Sequence, residues 1–294
     1  MTTTDHFQHF QAFTPTDVPV LGSTMRCWTA GTGRPVVFLH GNPTSSFLWR
    51  KVVPRLLGPD RRLVLVDLVG MGDSGKPPIE YRLTDHIDHV DALLDALDLP
   101  AVDLIAHDWG VAIAFACLHR HPERVRSLAF MEGHLRPLPG WDAFDEGGRD
   151  LFRRLRTPGV GEQMVLADNF FIETLLPAAI RGLTAEELTA YAAPYPTPES
   201  RRPLLQWARQ IPVAGDPADV ATLLPRAVAA AARASVPLLL VRARPGAVVG
   251  DDAVAWLTGH LPALTVAEVG PAGHFVPEDR PGPLAEVLDD WLRH

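Results

Sequence analysis

Val102-Asp103-Leu104-Ile105-Ala106-His107-Asp108-Trp109-Gly110 is the stretch that decides the fold. Residues 102–106 form a short apolar run with β-branched content and read as a buried strand, while residues 110–119 read as a helix. At the junction Ala106 and Gly110 stand two positions either side of Asp108. This is the spacing of a G-x-S-x-G elbow, where small neighbours let the chain turn sharply and push the central side chain into the open. A carboxylate that merely caps the following helix fits the same stretch, so taken alone it leaves two readings of Asp108.

Working outward, apolar runs at residues 36–39, 63–66, 125–131, 236–241 and 264–269 read as further strands, with a helical pattern at 85–97. Continuous apolar strands alternating with helices predict an α/β fold, a mostly parallel doubly wound sheet covered on both faces, with its site at the carboxyl ends of the strands. Residues 134–215 break the rhythm. They are rich in Pro and Arg, carry helical patterns at 147–155, 162–171 and 184–191, and contain no clear strand. The expected organisation is a core made of residues 1–133 and 216–294, with 134–215 as a helical cap over the sheet's carboxyl edge.

Two other loops follow predicted strands. His40-Gly41-Asn42-Pro43 closes the first run, and a Gly-x-Pro turn there can aim backbone N–H groups at a developing oxyanion. Gly270-Pro271-Ala272-Gly273-His274-Phe275 closes the last, where a histidine on a glycine-rich loop can serve as general base.

The chain has 294 residues, 47% hydrophobic, with a formal net charge of -8. The acidic balance argues against a nucleic-acid partner, which requires a basic face, and against attraction to anionic membranes. Cys27, placed before a strand-like run, and Cys117 are too few for a disulfide framework or zinc cluster and read as core-filling thiols. Residues 1–13 show no basic or apolar signal segment, and no apolar run reaches the ~20 residues of a spanning helix, so the expected location is cytoplasmic. Gly70-Met71-Gly72-Asp73-Ser74-Gly75 spells G-x-G-x-x-G, but Lys76-Pro77-Pro78 follows where a dinucleotide site needs a helix. His86 and His89 share a helix face and, lacking further ligands, are expected to face solvent.

With these motifs assembled, the chain resembles the haloalkane dehalogenases of the α/β-hydrolase fold. The resemblance rests on HGNPTSSFLWR at 40–50, on residues 67–77, on His107-Asp108-Trp109-Gly110, and on Phe130-Met131-Glu132 with Arg136-Pro137. It runs from about Thr16 to the C-terminus and enters the cap through Asn169-Phe170-Phe171-Ile172-Glu173 and Ile211-Pro212-Val213-Ala214-Gly215. It implies Asp108 as nucleophile, His274 as base, Glu132 as the acid that orients His274, and Asn42 with Trp109 as halide-binding donors. In another subgroup the acid follows the next strand, where Asp251 and Asp252 are the first carboxylates; Glu132 is preferred.

The chemistry suits these residue types. An anionic carboxylate displaces halide without prior deprotonation and is left as an alkyl ester, whose hydrolysis needs a base-activated water. The implied reaction takes a small halogenated hydrocarbon and water, releases halide, and uses no metal and no organic cofactor. The expected partners include no nucleic acid and no membrane, and the expected state is a monomer or weak homo-oligomer. Phe152, Phe171 and Leu175 of the cap and Phe275 of the histidine loop are candidate pocket residues, and Ala178 and Ala179 are expected near the access tunnel.

Four rivals share the pattern. An epoxide hydrolase would use the same Asp and His with two cap tyrosines, for which Tyr191 and Tyr195 are available. A fluoroacetate-type dehalogenase would carry Arg where Trp109 stands. A coelenterazine-type luciferase resembles the same pentad, and a non-catalytic hydrolase scaffold would only bind ligand. Two loops, Arg242-Ala243-Arg244-Pro245-Gly246 and Phe275-Val276-Pro277, depart from the family pattern near the expected pocket mouth.

Overall fold

The computed structural model describes residues 10–293; residues 1–9, which carry most of the reading of the N-terminus, lie outside the described residues. Eight strands among them form one sheet in the order β1-β2-β4-β3-β5-β6-β7-β8. Their bounds are Thr14–Val20 (β1), Ser23–Gly31 (β2), Arg34–Leu39 (β3), Arg61–Val66 (β4), Val102–His107 (β5), Val125–Met131 (β6), Leu238–Pro245 (β7) and Leu264–Ala272 (β8). Strands β3 to β8 pair in parallel and coincide with the six apolar runs predicted above, except that β7 opens at Leu238, two residues into its run. Every residue of β5 is buried, and because alternate strand residues face opposite ways, both sides of the sheet are covered there.

The antiparallel β1 and β2 were not anticipated. β1 reads TPTDVPV, with five of its seven residues exposed and two prolines. An edge strand tolerates proline and polar residues because one side of its backbone needs no partner, so it lacks the apolar signature of a buried strand. Cys27 lies inside β2 rather than before a strand, and both cysteines are buried and free.

One helix expectation is corrected. His86 and His89, expected to face solvent, are 0% and 5% exposed on the helix Leu83–Ala96. His86 lies under Trp207 with ring centroids 4.1 Å apart, and His89 Nδ1 donates to the Asp85 carbonyl at 2.6 Å. The ring face of His86 is buried against Trp207, a contact that helical periodicity alone does not reveal. Residues 70–75 form turns rather than the start of a helix, and the next α-helix opens only at Leu83.

The elbow is tight. Asp108 has φ 53° and ψ -122°, a conformation that costs a non-glycine residue energy and persists only where its surroundings enforce it. The enforcement comes from neighbouring strand ends: a Cβ on Gly110 would lie 2.4 Å from the Leu39 carbonyl oxygen and 2.7 Å from that of His40. The helix Trp109–Arg120 therefore starts in direct contact with the end of β3.

Between β6 and β7 the chain is helical, with helices Glu146–Arg156, Ala185–Ala192 and Arg202–Arg209 and π-helical turns Gln163–Ala167 and Phe171–Leu175. A bridge between Leu138 and Val213 draws the two ends of this segment together. Its outer part is fastened to the core through Arg50, whose side chain is fully buried. Arg50 pairs with both carboxylate oxygens of Glu278 and with Glu187, and the Tyr191 hydroxyl donates to Glu278. Lys51 adds a 2.9 Å contact to Glu278. Glu278 sits in the short helix Val276–Asp279 that follows the histidine loop, while Glu187 and Tyr191 belong to the inserted helix Ala185–Ala192. One buried guanidinium thus joins three parts of the chain. No helix among the described residues is long and apolar enough to cross a membrane.

These contacts set the stability expected of three variants. Gly110→Ala should lower unfolding free energy by about 1–3 kcal/mol, since the obstruction is backbone and cannot rotate away; the urea midpoint at unchanged slope measures it. Glu278→Gln should cost about 3–5 kcal/mol by leaving a buried guanidinium short of charge. Glu187→Gln, nearer the surface, should cost about 1 kcal/mol or less, so equal losses would contradict this account.

Candidate active site

The strand order assembles the site. β3, β5 and β6 are neighbours, and Asn42, Asp108 and Glu132 follow their carboxyl ends. The pairing of His107 with Met131 brings Asp108 and Glu132 out of the sheet side by side, with the Asp108 N–H on the Met131 carbonyl at 3.3 Å. His274 arrives from the end of β8 and must reach back across β7 and β6 to Asp108. The fully buried His107 ring holds it there, its Nε2 donating to the His274 carbonyl at 2.8 Å. Burial keeps His107 well below the usual imidazole range, so it serves as a neutral donor.

The carboxylate of Asp108 presents two different oxygens. Oδ1 accepts the Asn42 backbone N–H at 2.7 Å, and the Trp109 backbone N–H also supports the charged form. This approach demands glycine at position 41, where a Cβ would lie 2.1 Å from Oδ1. Oδ2 instead lies 3.5 Å from His274 Nε2. On the far side of the imidazole, Nδ1 stands 3.6 Å from Glu132 Oε2, just outside hydrogen-bond distance.

Electrostatics follow from this geometry. Burial pushes the Asp108 carboxyl up, opposed by His274 and the backbone N–H groups of Trp109 and Asn42. Burial would also raise Glu132, but His274 and the N–H groups of Val248 and Ala247, at 2.9 and 2.8 Å, hold it below its ordinary value. For His274 burial acts downward, and the carboxylates of Glu132 and Asp108 outweigh it, leaving the imidazole raised. Asp251, the other candidate acid, is instead paired with Arg242 and Arg244. These arginines, from the loop that departs from the family pattern, also hold Glu268, Arg244 at 2.9 Å.

Above these groups lies a cavity of about 400 Å³. Phe152, Phe171, Leu175 and Phe275 all line it, together with Asn42, Asp108, Trp109 and His274. Ala179 lines it as well, whereas Ala178 is not among the lining residues. The Asn42 side chain is anchored by Nδ2 on the Leu204 carbonyl at 3.2 Å; a primary amide has a second N–H to offer. Trp109 lies against Trp207, ring centroids 4.8 Å apart, and Trp207 donates its Nε1–H to Met71 Sδ at 3.1 Å.

The two cap tyrosines do not reach this chamber. Tyr191 is spent on Glu278, Tyr195 is buried elsewhere, and neither lines the cavity. Burial raises both phenols, weakening them further as acids. The acid pair that an epoxide opener requires is therefore missing from the cavity wall.

Sequence reasoning missed Trp207, which backs Trp109, and His107, which holds the histidine loop. Both act through residues distant in sequence, and neither lies in a pattern that announces it. His107 adjoins the elbow, however, and its position at a strand end was a usable signal.

Known proteins resemble the chain throughout. Residues 34–281 match the family model for the alpha/beta hydrolase fold. A haloalkane dehalogenase of Mesorhizobium japonicum is 43% identical over 279 residues, covering 94% of this chain and 90% of that one. One from Sphingobium indicum is 40% identical, with 94% of each chain covered. The crystal structure of the haloalkane dehalogenase DbeA from Bradyrhizobium elkani superposes with a TM-score of 0.92 at 42% identity, covering 96% of this chain and 98% of that one. With eight strands in this order, an aspartate at the elbow and relatives of one name over nearly its whole length, the chain belongs to the haloalkane dehalogenase family of the α/β-hydrolase fold.

Proposed function

We propose that the chain hydrolyses haloalkanes to alcohol and halide through an alkyl ester on Asp108. The observation that carries this reading is the asymmetry of the Asp108 carboxylate: Oδ1 is held by the Asn42 N–H while Oδ2 adjoins His274 beside a largely apolar cavity. Oδ2 attacks the halogen-bearing carbon in line, the carbon–halogen bond breaks, and halide leaves with the bonding pair. Burying that anion unpaired would be prohibitive, so the indole N–H of Trp109 and the Asn42 amide receive it. Residues 134–215 act as the cap that supplies the apolar wall and keeps bulk water out.

In the second step His274 takes a proton from water, and the hydroxide equivalent adds to the ester carbonyl. Oδ1 is by then the carbonyl oxygen and already lies among the N–H groups that stabilise the oxyanion, so no reorganisation is needed. Collapse releases the alcohol and regenerates the carboxylate. Glu132, fixed by the Ala247 and Val248 N–H groups, orients the imidazole and stabilises its charged form.

Halide release from 1-bromobutane, 1,2-dibromoethane and 1-iodohexane tests the reaction, with styrene oxide run in parallel. Asp108→Asn should abolish release, and His274→Gln should accumulate a protein whose intact mass has grown by one alkyl group. Diol formation from styrene oxide without halide release would overturn the reading. The pH dependence is distinctive. Forming the ester removes the Asp108 charge, one of the influences that raise His274, so the base becomes easier to deprotonate when it must act. The acidic limb of kcat, when ester hydrolysis limits, should therefore lie at lower pH than the His274 titration of the free protein followed by NMR; activity is lost as pH falls through it.

A further inference from the structure

The mechanism leaves one polar side chain of the cavity without a task. Among the lining residues, Asn42, Asp108, Trp109 and His274 belong to the reaction centre. Arg136 pairs with Asp252 at 2.8 Å, and Asp145 accepts the Gly148 N–H at 2.6 Å as the cap of its helix. His134 also lines the cavity, and its imidazole makes no hydrogen bond among the described residues.

Its location is fixed by the same crowding that builds the site. A Cβ on Gly133 would lie 2.4 Å from Val111 Cβ and 2.9 Å from the Asp108 carbonyl oxygen, so the backbone leaving Glu132 rests against the elbow. The next residue is thereby delivered beside the reacting atoms. The charged groups acting on it are His274, Glu132 and Arg136, and burial takes its imidazole down to about 4. At neutral pH the ring is uncharged, with one nitrogen donating and the other accepting. The cavity it borders is otherwise largely apolar, with Leu135, Phe152, Val248 and Phe275 among the lining residues. A purely hydrocarbon substrate deprives the imidazole of water and returns no partner, which costs free energy; a substrate with a hydrogen-bonding atom restores one.

Resting on the reaction proposed above, we infer that His134 forms a polar subsite that favours haloalkanes bearing an ether, hydroxyl or carbonyl oxygen close to the reacting carbon. The imidazole N–H donates to that oxygen, and the reaction at Asp108 is unaltered. His134 is thus a specificity-determining residue that separates oxygenated from plain haloalkanes.

The test uses two substrates of the same length, 2-bromoethyl ethyl ether and 1-bromopentane, which differ only by O for CH2. Their intrinsic reactivities cancel when the ratio of kcat/KM, ether over alkane, is compared between proteins. One lost hydrogen bond corresponds to about a 5-fold fall in this ratio for His134→Leu, most of it in KM. His134→Phe, which keeps a flat ring without a donor, should behave as the leucine variant does, and His134→Gln, which keeps an N–H, should hold the ratio within about 2-fold of wild type. An unchanged ratio in whichever apolar variant folds overturns the subsite, as does a glutamine variant that falls as far as the apolar ones. Absence of halide release from 1-bromopentane by the wild-type protein would instead overturn the underlying reaction, and the subsite with it.

Discussion

The 2.7 Å hydrogen bond from the Asn42 N–H to Asp108 Oδ1 is the contact on which the architecture turns. To make it, the loop after β3 must touch the elbow after β5, so the two strands must be neighbours and the loop must shed its side chain at Gly41. It also requires that Asp108 adopt positive φ, a conformation held in place by the contact of Gly110 with the β3 terminus. A buried carboxylate is costly, and these N–H groups offset part of the cost at Oδ1.

The histidine is held differently. Its carbonyl is tied to β5 through His107, and the short helix after it is tied through Glu278 to Arg50. Arg50 directly follows the turn Ser46–Trp49, which itself follows the Asn42 loop. The two loops that flank Asp108 are therefore braced against one another from behind. The Asn42 backbone N–H and the His274 imidazole can then meet the two oxygens of Asp108 without depending on each other for position.

What the sequence disclosed was local. The elbow, the Gly-x-Pro loop and the histidine loop each announce a backbone conformation through small residues at fixed offsets, and the parallel strands announce burial through unbroken apolar runs. The edge strands β1 and β2 gave no such signal, because Thr, Pro and Asp on a half-exposed strand look like a loop. Side-chain direction was equally hidden. Tyr191 and Tyr195 lie in the segment between β6 and β7, several of whose residues line the cavity, yet only the fold reveals that these two do not, and the burial of His86 depends on Trp207, more than a hundred residues further on. The ring of His134 is the converse case: it stands two residues from Glu132 in plain view, but nothing in a sequence says that a residue there borders the cavity.

The segment between β6 and β7 is riveted to the rest of the chain at separate points: Arg50 to Glu187, Tyr191 to Glu278, the Leu204 carbonyl to Asn42, and Trp207 against Trp109. Lifting it as a rigid lid would expose a buried ion pair and separate two stacked indoles at once. Opening the chamber in that way would break the four fastenings together. Substitutions that leave these fastenings alone can therefore reshape the chamber wall without loosening the segment that forms part of it.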